Sequence, residues 1–295
     1  MQQPASPIVL ALDTPDLGEA RAWAAAARDS ISMVKVGLEL FGAHGPGAVR
    51  ALRADGHRVM LDLKLYDIPA TLGGAVAALA PLGAELLTVH AGGGRAMLGA
   101  ALEAAGGRTL IAAVTVLTSL DQDDLDALGL GQASMVAERL AGLALEAGCR
   151  ALVCSPLEVA RLRALAGPGV TLVCPGVRPA AEPGAGQAPG GRAPEARGRM
   201  PQGGRMPQGP DDQARVAAPA AALAGGADLL VVGRPITRAP DPAAAARAVN
   251  AEAMQGVQGV QVSGGPGGLR AKPGSRDQAA KQSRASAPRW TGGGR

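Results

Sequence analysis

Eight short apolar, often β-branched runs recur along the chain, at Ile8–Leu12, Met33–Val36, Val59–Leu63, Leu86–Val89, Leu110–Val116, Leu152–Cys154, Thr171–Cys174 and Leu229–Val232. Ala/Leu-rich stretches of helical spacing separate most of them, among them Leu17–Ala27, Leu72–Ala80, Ala133–Ala147 and Ala214–Ala224. Runs this short and this apolar suit strands buried on both faces, and their alternation with helices builds βαβ units around a parallel sheet. Eight units predict an α/β fold closed into a (β/α)8 TIM barrel, a single domain over residues 1–252 with its site at the C-terminal strand ends. A doubly wound open sheet is the alternative. No Gly-x-Gly-x-x-Gly follows the first run, which removes support from its dinucleotide-binding form.

Two stretches break the pattern. Residues 180–208 are rich in Gly, Pro, Ala and Arg and carry Gly-Arg-Met-Pro-Gln-Gly twice in tandem, at 198–203 and 204–209. That composition reads as a flexible insertion after the seventh strand, with βα patterning resuming at Asp211. Residues 253–295 are Gly/Ser/Gln/Arg-rich without apolar periodicity and read as a disordered basic tail; a weak anion-binding arm is the alternative.

Charge follows the same division. The chain of 295 residues carries a net +4, yet residues 251–295 alone hold seven Lys/Arg against two acids. The excess belongs to the tail rather than to a folded basic face, which argues against nucleic acid as the partner. Only four aromatics occur (Trp23, Phe41, Tyr66, Trp290), so the core must come from Ala, Val, Leu and Ile. No apolar run reaches the roughly 18–20 residues that span a bilayer, and the N-terminus lacks a signal pattern. Cys149, Cys154 and Cys174 form neither a C-x-x-C motif nor an even set. They read as core residues of a cytoplasmic protein.

Polar residues then stand where a barrel would place a site. Asp13 follows the first strand, Lys35 lies within the end of the second, and Asp62 and Lys64 end the third. His90 ends the fourth, Thr118 and Ser119 follow the fifth, Ser155 the sixth, Arg178 the seventh and Gly233-Arg234 the eighth. Helices also begin near strand C-ends, so Asp13 and Thr118 could be helix caps instead. That alternative does not explain lysines at two strand ends. The densest stretch is Leu61-Asp62-Leu63-Lys64-Leu65-Tyr66-Asp67-Ile68-Pro69-Ala70-Thr71. Strand alternation puts Asp62 and Lys64 on one face and the leucines on the other, with Asp67 able to return to the same cavity. A structural ion pair is one reading, although buried pairs stabilise weakly. The other is chemical: an ammonium held between carboxylates delivers a proton in a dry site, rather than serving as a Schiff-base nucleophile.

Asp62-x-Lys64-x-x-Asp67-Ile68-Pro69-x-Thr71 resembles the signature of orotidine 5′-phosphate decarboxylases. Five patterns in order carry the likeness from about Ile8 to Asn250: Leu-Ala-Leu-Asp (10–13), Val-Lys-Val-Gly (34–37), the Asp62 block, Val-Thr-Val-Leu-Thr-Ser (114–119), and Pro-Gly-Val-Arg-Pro (175–179) with Gly-Pro-Asp-Asp-Gln (209–213) and Val-Gly-Arg-Pro-Ile-Thr (232–237). The resemblance implies loss of CO2 from orotidine 5′-phosphate to give UMP, the last step of de novo pyrimidine synthesis, without metal or organic cofactor. It implies that Lys64 protonates C6 with Asp62 near the departing carboxylate, while Lys35 and Asp67 complete a charge array. Asp13, Lys35, Asp67 and Thr71 would address the ribose, Thr118 the pyrimidine edge, and Arg178, Gln213, Gly233 and Arg234 the phosphate. It further implies a homodimer in which Asp67 and Thr71 reach the neighbouring site. His90 reads as a barrel-lining residue. The departure from the family pattern is the insertion between Arg178 and Gln213. Two alternatives stand beside this reading: a metal-dependent sugar-phosphate decarboxylase or aldolase on the same barrel, and a non-catalytic barrel scaffold.

Overall fold

The computed structural model describes residues 6–179 and 215–262. The chain runs β1 (Ile8–Ala11), α1 (Leu17–Ala27), β2 (Met33–Gly37), α2 (Leu38–His44), α3 (Pro46–Ala54), β3 (Val59–Leu65), α4 (Pro69–Leu79), β4 (Leu86–His90) and α5 (Gly94–Ala105). It continues through β5 (Leu110–Val114), α6 (Gln122–Ala127), α7 (Ala133–Ala147), β6 (Ala151–Val153), α8 (Val159–Ala166), β7 (Thr171–Cys174), α9 (Pro219–Ala224), β8 (Leu229–Val232), α10 (Arg234–Thr237) and α11 (Pro242–Val262). The strands pair in sequence order, all parallel, and β8 closes on β1 through Val9 opposite Val231. This is the barrel that the strand-helix alternation predicts.

Period-two alternation sorts the strand side chains into two cores. Ile8, Leu10, Val34, Val36, Leu61, Leu87, Val89, Leu152 and Leu230 face outward and pack with helix residues such as Ala24, Leu52, Val76 and Leu98. Val9, Met33, Met60, Leu86, Ala112, Ala151, Val173 and Val231 fill the barrel interior. Buried Ala residues on the helices, among them Ala20, Ala24, Ala48, Ala101, Ala141 and Ala144, take the place of large side chains in a core nearly without aromatics.

Three differences from the sequence reading stand out, two of them with local causes. The helix anticipated over 214–224 begins only at Pro219. Ala218 before it is extended, as a residue preceding proline prefers, and Ala217 is drawn into a parallel bridge with Val177. At the C-terminal end, α11 continues to Val262, past the boundary that composition sets at 252. Helix α4 starts at Pro69, with proline in the first turn where its missing N–H is harmless. The insertion 180–208 and the tail from 263 onward lie outside the described residues.

Candidate active site

Along each strand the inward row changes from apolar to polar as it approaches the C-terminal mouth. On β2 the row is Met33, Lys35, Gly37, and on β3 it is Met60 then Asp62. On β4 it is Leu86, Thr88, His90. Pairing places Gly37 opposite Asp62, which brings the second and third rows to the same height. The side chains meet there. Lys35 Nζ lies 3.0 Å from Asp13 Oδ1 and 3.4 Å from Asp62 Oδ2. Lys64 Nζ donates to both oxygens of Asp62, at 2.8 Å each. Asp13, Lys35, Asp62 and Lys64 thus form one alternating array of carboxylates and ammoniums.

Burial and charge act against each other in this array. Burial alone would lower the Lys35 pKa; Asp13 and Asp62 outweigh it and hold the ammonium above its ordinary value. Burial alone would raise the Asp62 carboxyl; Lys35, Lys64 and the hydrogen bonds from Lys64 and Thr88 keep it below the usual carboxylate range. The two lysines differ in access. The Lys35 side chain is 11% exposed and that of Lys64 32%, so Lys64 is the cation presented to the mouth.

The backbone at Lys64 is unusual. Its φ is +48°, the left-handed region that a side chain with a Cβ rarely adopts. Between the pairs Leu61–Leu87 and Leu65–Val89, β3 advances four residues while β4 advances two. Simple alternation put Asp62 and Lys64 on one face; the structure brings their charged ends together by interrupting that alternation with a bulge. Two further close fits surround the array. A Cβ on Gly37 would lie 2.9 Å from Lys35 Nζ, and one on Gly233 would lie 3.3 Å from Ala11 Cβ. Gly37 was visible in the Val-Lys-Val-Gly pattern; the approach of the Lys35 ammonium to it was not.

The other anticipated residues distribute around the mouth. Asp13 and Thr118 are not helix caps: Asp16 caps α1, accepting from Gly18 and Glu19 N–H, and Asp121 caps α6 in a capping box with Asp124. Thr118 is half-buried in the turn after β5. Arg178 N–H donates to Ala217 O at 3.0 Å and Ala217 N–H to Gly176 O at 3.2 Å, which joins the two flanks of residues 180–214. Gly233 follows β8 and accepts from Ile236 and Thr237 N–H, opening the short turn of α10 at Arg234. Gln213 lies outside the described residues. Asp67 and Thr71 are exposed; Asp67 accepts the N–H of Ile68 at 2.6 Å, and among the described residues no hydrogen bond or ion pair joins either to the array. His90 sits half-buried at the end of β4, its ring 5.6 Å from that of Tyr66. Burial and the Lys64 charge lower its pKa against the opposing pull of Asp62, which favours a neutral imidazole at the rim.

Two features escaped the sequence reading. Thr88 is fully buried and touches both Asp62 and Lys64. Its place between Leu86 and His90 on the inner row of β4 was the available signal. The second is a buried ion pair of Arg215 with Glu158, in which Arg215 Nη2 also donates to Val116 O (3.1 Å) and Leu117 O (2.9 Å). No local pattern announces it. Among the described residues no group of three or more His, Cys, Asp or Glu side chains converges as metal ligands would.

The family model for orotidine 5′-phosphate decarboxylase / HUMPS matches residues 6–203 and 198–249, the two matched stretches overlapping in the first copy of the repeated hexapeptide. The chain belongs to this family. A curated orotidine 5′-phosphate decarboxylase of Thermobifida fusca (strain YX) is 54% identical over 250 residues, covering 84% of this chain and 96% of the relative. One of Anaeromyxobacter sp. (strain K) is 50% identical, covering 84% and 99%. The crystal structure of orotidine 5′-phosphate decarboxylase from Lactobacillus acidophilus aligns with a TM-score of 0.66 at 31% identity, over 84% of this chain and 99% of that one. The resemblance drawn from the motifs and the barrel drawn from the periodicity therefore meet in one family.

Proposed function

We propose that this chain converts orotidine 5′-phosphate to UMP and CO2, the closing step of de novo UMP synthesis. Membership in the family and the names of its relatives support the reaction. The observation that carries the mechanism is the Asp13–Lys35–Asp62–Lys64 array at the strand ends, with Lys64 its most accessible cation among the two lysines. Cleavage of the C6–carboxylate bond releases CO2 and leaves the electron pair on C6. Lys64 stabilises that charge and then transfers an ammonium proton to C6, recovering a proton from solvent afterwards. Asp62 faces the departing carboxylate, and Lys35 holds Asp62 and Asp13 in place. Asp13, Lys35 and Thr71 grip the ribose and Thr118 the pyrimidine. Arg178, Gln213, Gly233 and Arg234 hold the phosphate, whose binding energy orients the distant base.

Asp67 completes the array from a second copy of the chain. Its exposure, together with that of Leu38, Tyr66 and Ile68 at about two-thirds of their surface, supports a homodimer with shared sites. Mixing Lys64→Ala with Asp67→Ala protein tests this: restored turnover is expected, and none speaks against a shared site. The three cysteines are free thiols, which supports a reducing cytoplasm. Among the described residues no helix is long and apolar enough to cross a membrane. The deciding experiment is turnover of orotidine 5′-phosphate by full-length protein in EDTA, beside Lys64→Ala. Rapid UMP formation lost in the folded variant is expected. Turnover that needs added divalent metal and a sugar phosphate would move the chain to a sister activity on the same barrel.

A further inference from the structure

We propose that Thr88 is a positioning residue that sets the catalytic pair, locking the Asp62 carboxylate and the left-handed backbone of Lys64 into one unit. This rests on the reading of Lys64 and Asp62 given above. The hydroxyl has two partners whose roles leave it no freedom. Lys64 N–H can only donate, so Thr88 Oγ1 accepts from it at 2.8 Å. The hydroxyl proton is then directed to Asp62 Oδ1, 3.0 Å away. Asp62 in turn receives Lys64 Nζ on both oxygens. The three residues close a ring in which Lys64 is held at both ends, by its backbone through Thr88 and by its ammonium through Asp62.

The ring sits where such a clamp is needed. The β3–β4 register breaks between Leu61 and Leu65, so the regular ladder does not hold Lys64. A residue with a Cβ in the left-handed region persists only where its surroundings over-determine it. Thr88 is fully buried on the neighbouring strand, with Leu86 and His90 on either side of it in the inner row. It is therefore a rigid, dry anchor, and its β-branched side chain adds stiffness at χ1. A displacement of about 1 Å at a reacting group lowers a rate roughly a hundredfold.

The test compares Thr88→Val, which keeps the shape and loses the hydroxyl, with Thr88→Ser, which keeps the hydroxyl, and with Lys64→Ala as reference. Thr88→Val is expected to lower kcat roughly tenfold to a hundredfold with KM within about threefold, and Thr88→Ser to recover most of the loss. The acid limb of kcat supplies a second readout. Titratable groups around Asp62 are Lys35 on β2, Lys64 on its own strand and the neutral His90 on β4, with Asp13 beyond Lys35, and none of them changes in these variants. Loss of the Thr88 donor removes one cause that keeps the Asp62 carboxyl low, so the limb should move to higher pH in Thr88→Val and stay near wild type in Thr88→Ser. Equal impairment of Val and Ser variants, or an unshifted limb with near-normal kcat while Lys64→Ala is inactive, overturns the inference. Turnover retained by Lys64→Ala overturns instead the assignment of Lys64 on which it rests. Should Thr88→Val not fold, Thr88→Ala compared at equal folded fraction carries the same test.

Discussion

Two clusters of charge lie at the mouth of this barrel, each around a buried carboxylate, and they are built on opposite terms. In the Asp62 cluster, two carboxylates alternate with two ammoniums, and each oxygen of Asp62 has a donor. In the Glu158 cluster a single guanidinium meets a single carboxylate, and Glu158 Oε2 and Arg215 Nε have no hydrogen-bond partner among the described residues. Burial pushes the Glu158 carboxyl up against the opposing charge of Arg215, whereas the surplus of donors holds that of Asp62 down. Asp62 faces two ammoniums and the Thr88 hydroxyl, and Glu158 one guanidinium and Ser155, and the two carboxyls shift in opposite directions. One cluster leaves an ammonium open to the mouth. The other is sealed, and its guanidinium turns Nη2 to the carbonyls of Val116 and Leu117, just before Thr118. An incompletely satisfied buried pair is a poor stabiliser, so its value here is in fixing the loop after β5 to the segment that leads into α9.

The sharpest way to break this contrast is to remove the centre of the first cluster. Asp62→Ala leaves Lys35 and Lys64 facing each other and is expected to lower kcat by about 10³-fold or more, read as UMP formation by protein verified as folded. Arg215→Met should act through stability instead. It strands the Glu158 carboxylate, so denaturant unfolding should show a loss of about 3–5 kcal/mol, most of it recovered in the double variant Arg215→Met/Glu158→Leu. If Arg215→Met unfolds like wild type, the sealed pair is not what joins these loops.

The smallest effect separates the clusters by sign. Because the folded Glu158 carboxyl lies above its ordinary 4.5, the folded state keeps a proton that the unfolded chain releases. Its contribution to stability therefore falls as pH rises from about 4.5 towards the folded value. Asp62 is the reverse: its contribution is present above the ordinary 3.8 and is lost as pH falls through the depressed folded value. Unfolding free energies measured across this range should show Glu158→Gln gaining on wild type with rising pH. A constant difference would mean that Arg215 fully offsets the burial of Glu158.

Much of the first cluster was legible and almost none of the second. Lys35 and Asp62 lie within apolar runs whose period of two shows which way they point, and Asp13 and Lys64 stand just past the ends of such runs. The strand limits themselves differ from the apolar runs only at their edges, as with β3, which extends to Leu65. Arg215 and Glu158 are 57 residues apart, with residues 180–214 between the seventh strand and Arg215, so neither neighbourhood hints at the other. Asp67 and Thr71 were legible as motif residues, yet among the described residues no hydrogen bond or ion pair joins them to the array.

The sequence by itself determined the eight-stranded alternation, the inward rows and the residue types that end them, because strand and helix periods are local properties of a chain. Only the tertiary structure decided that β3 would slip against β4, that Lys64 would take a left-handed backbone, and that Thr88 would stand against both ends of the pair. Those outcomes depend on register between neighbouring strands and on which buried donors find acceptors. They are settled by packing across the barrel, which no local period contains.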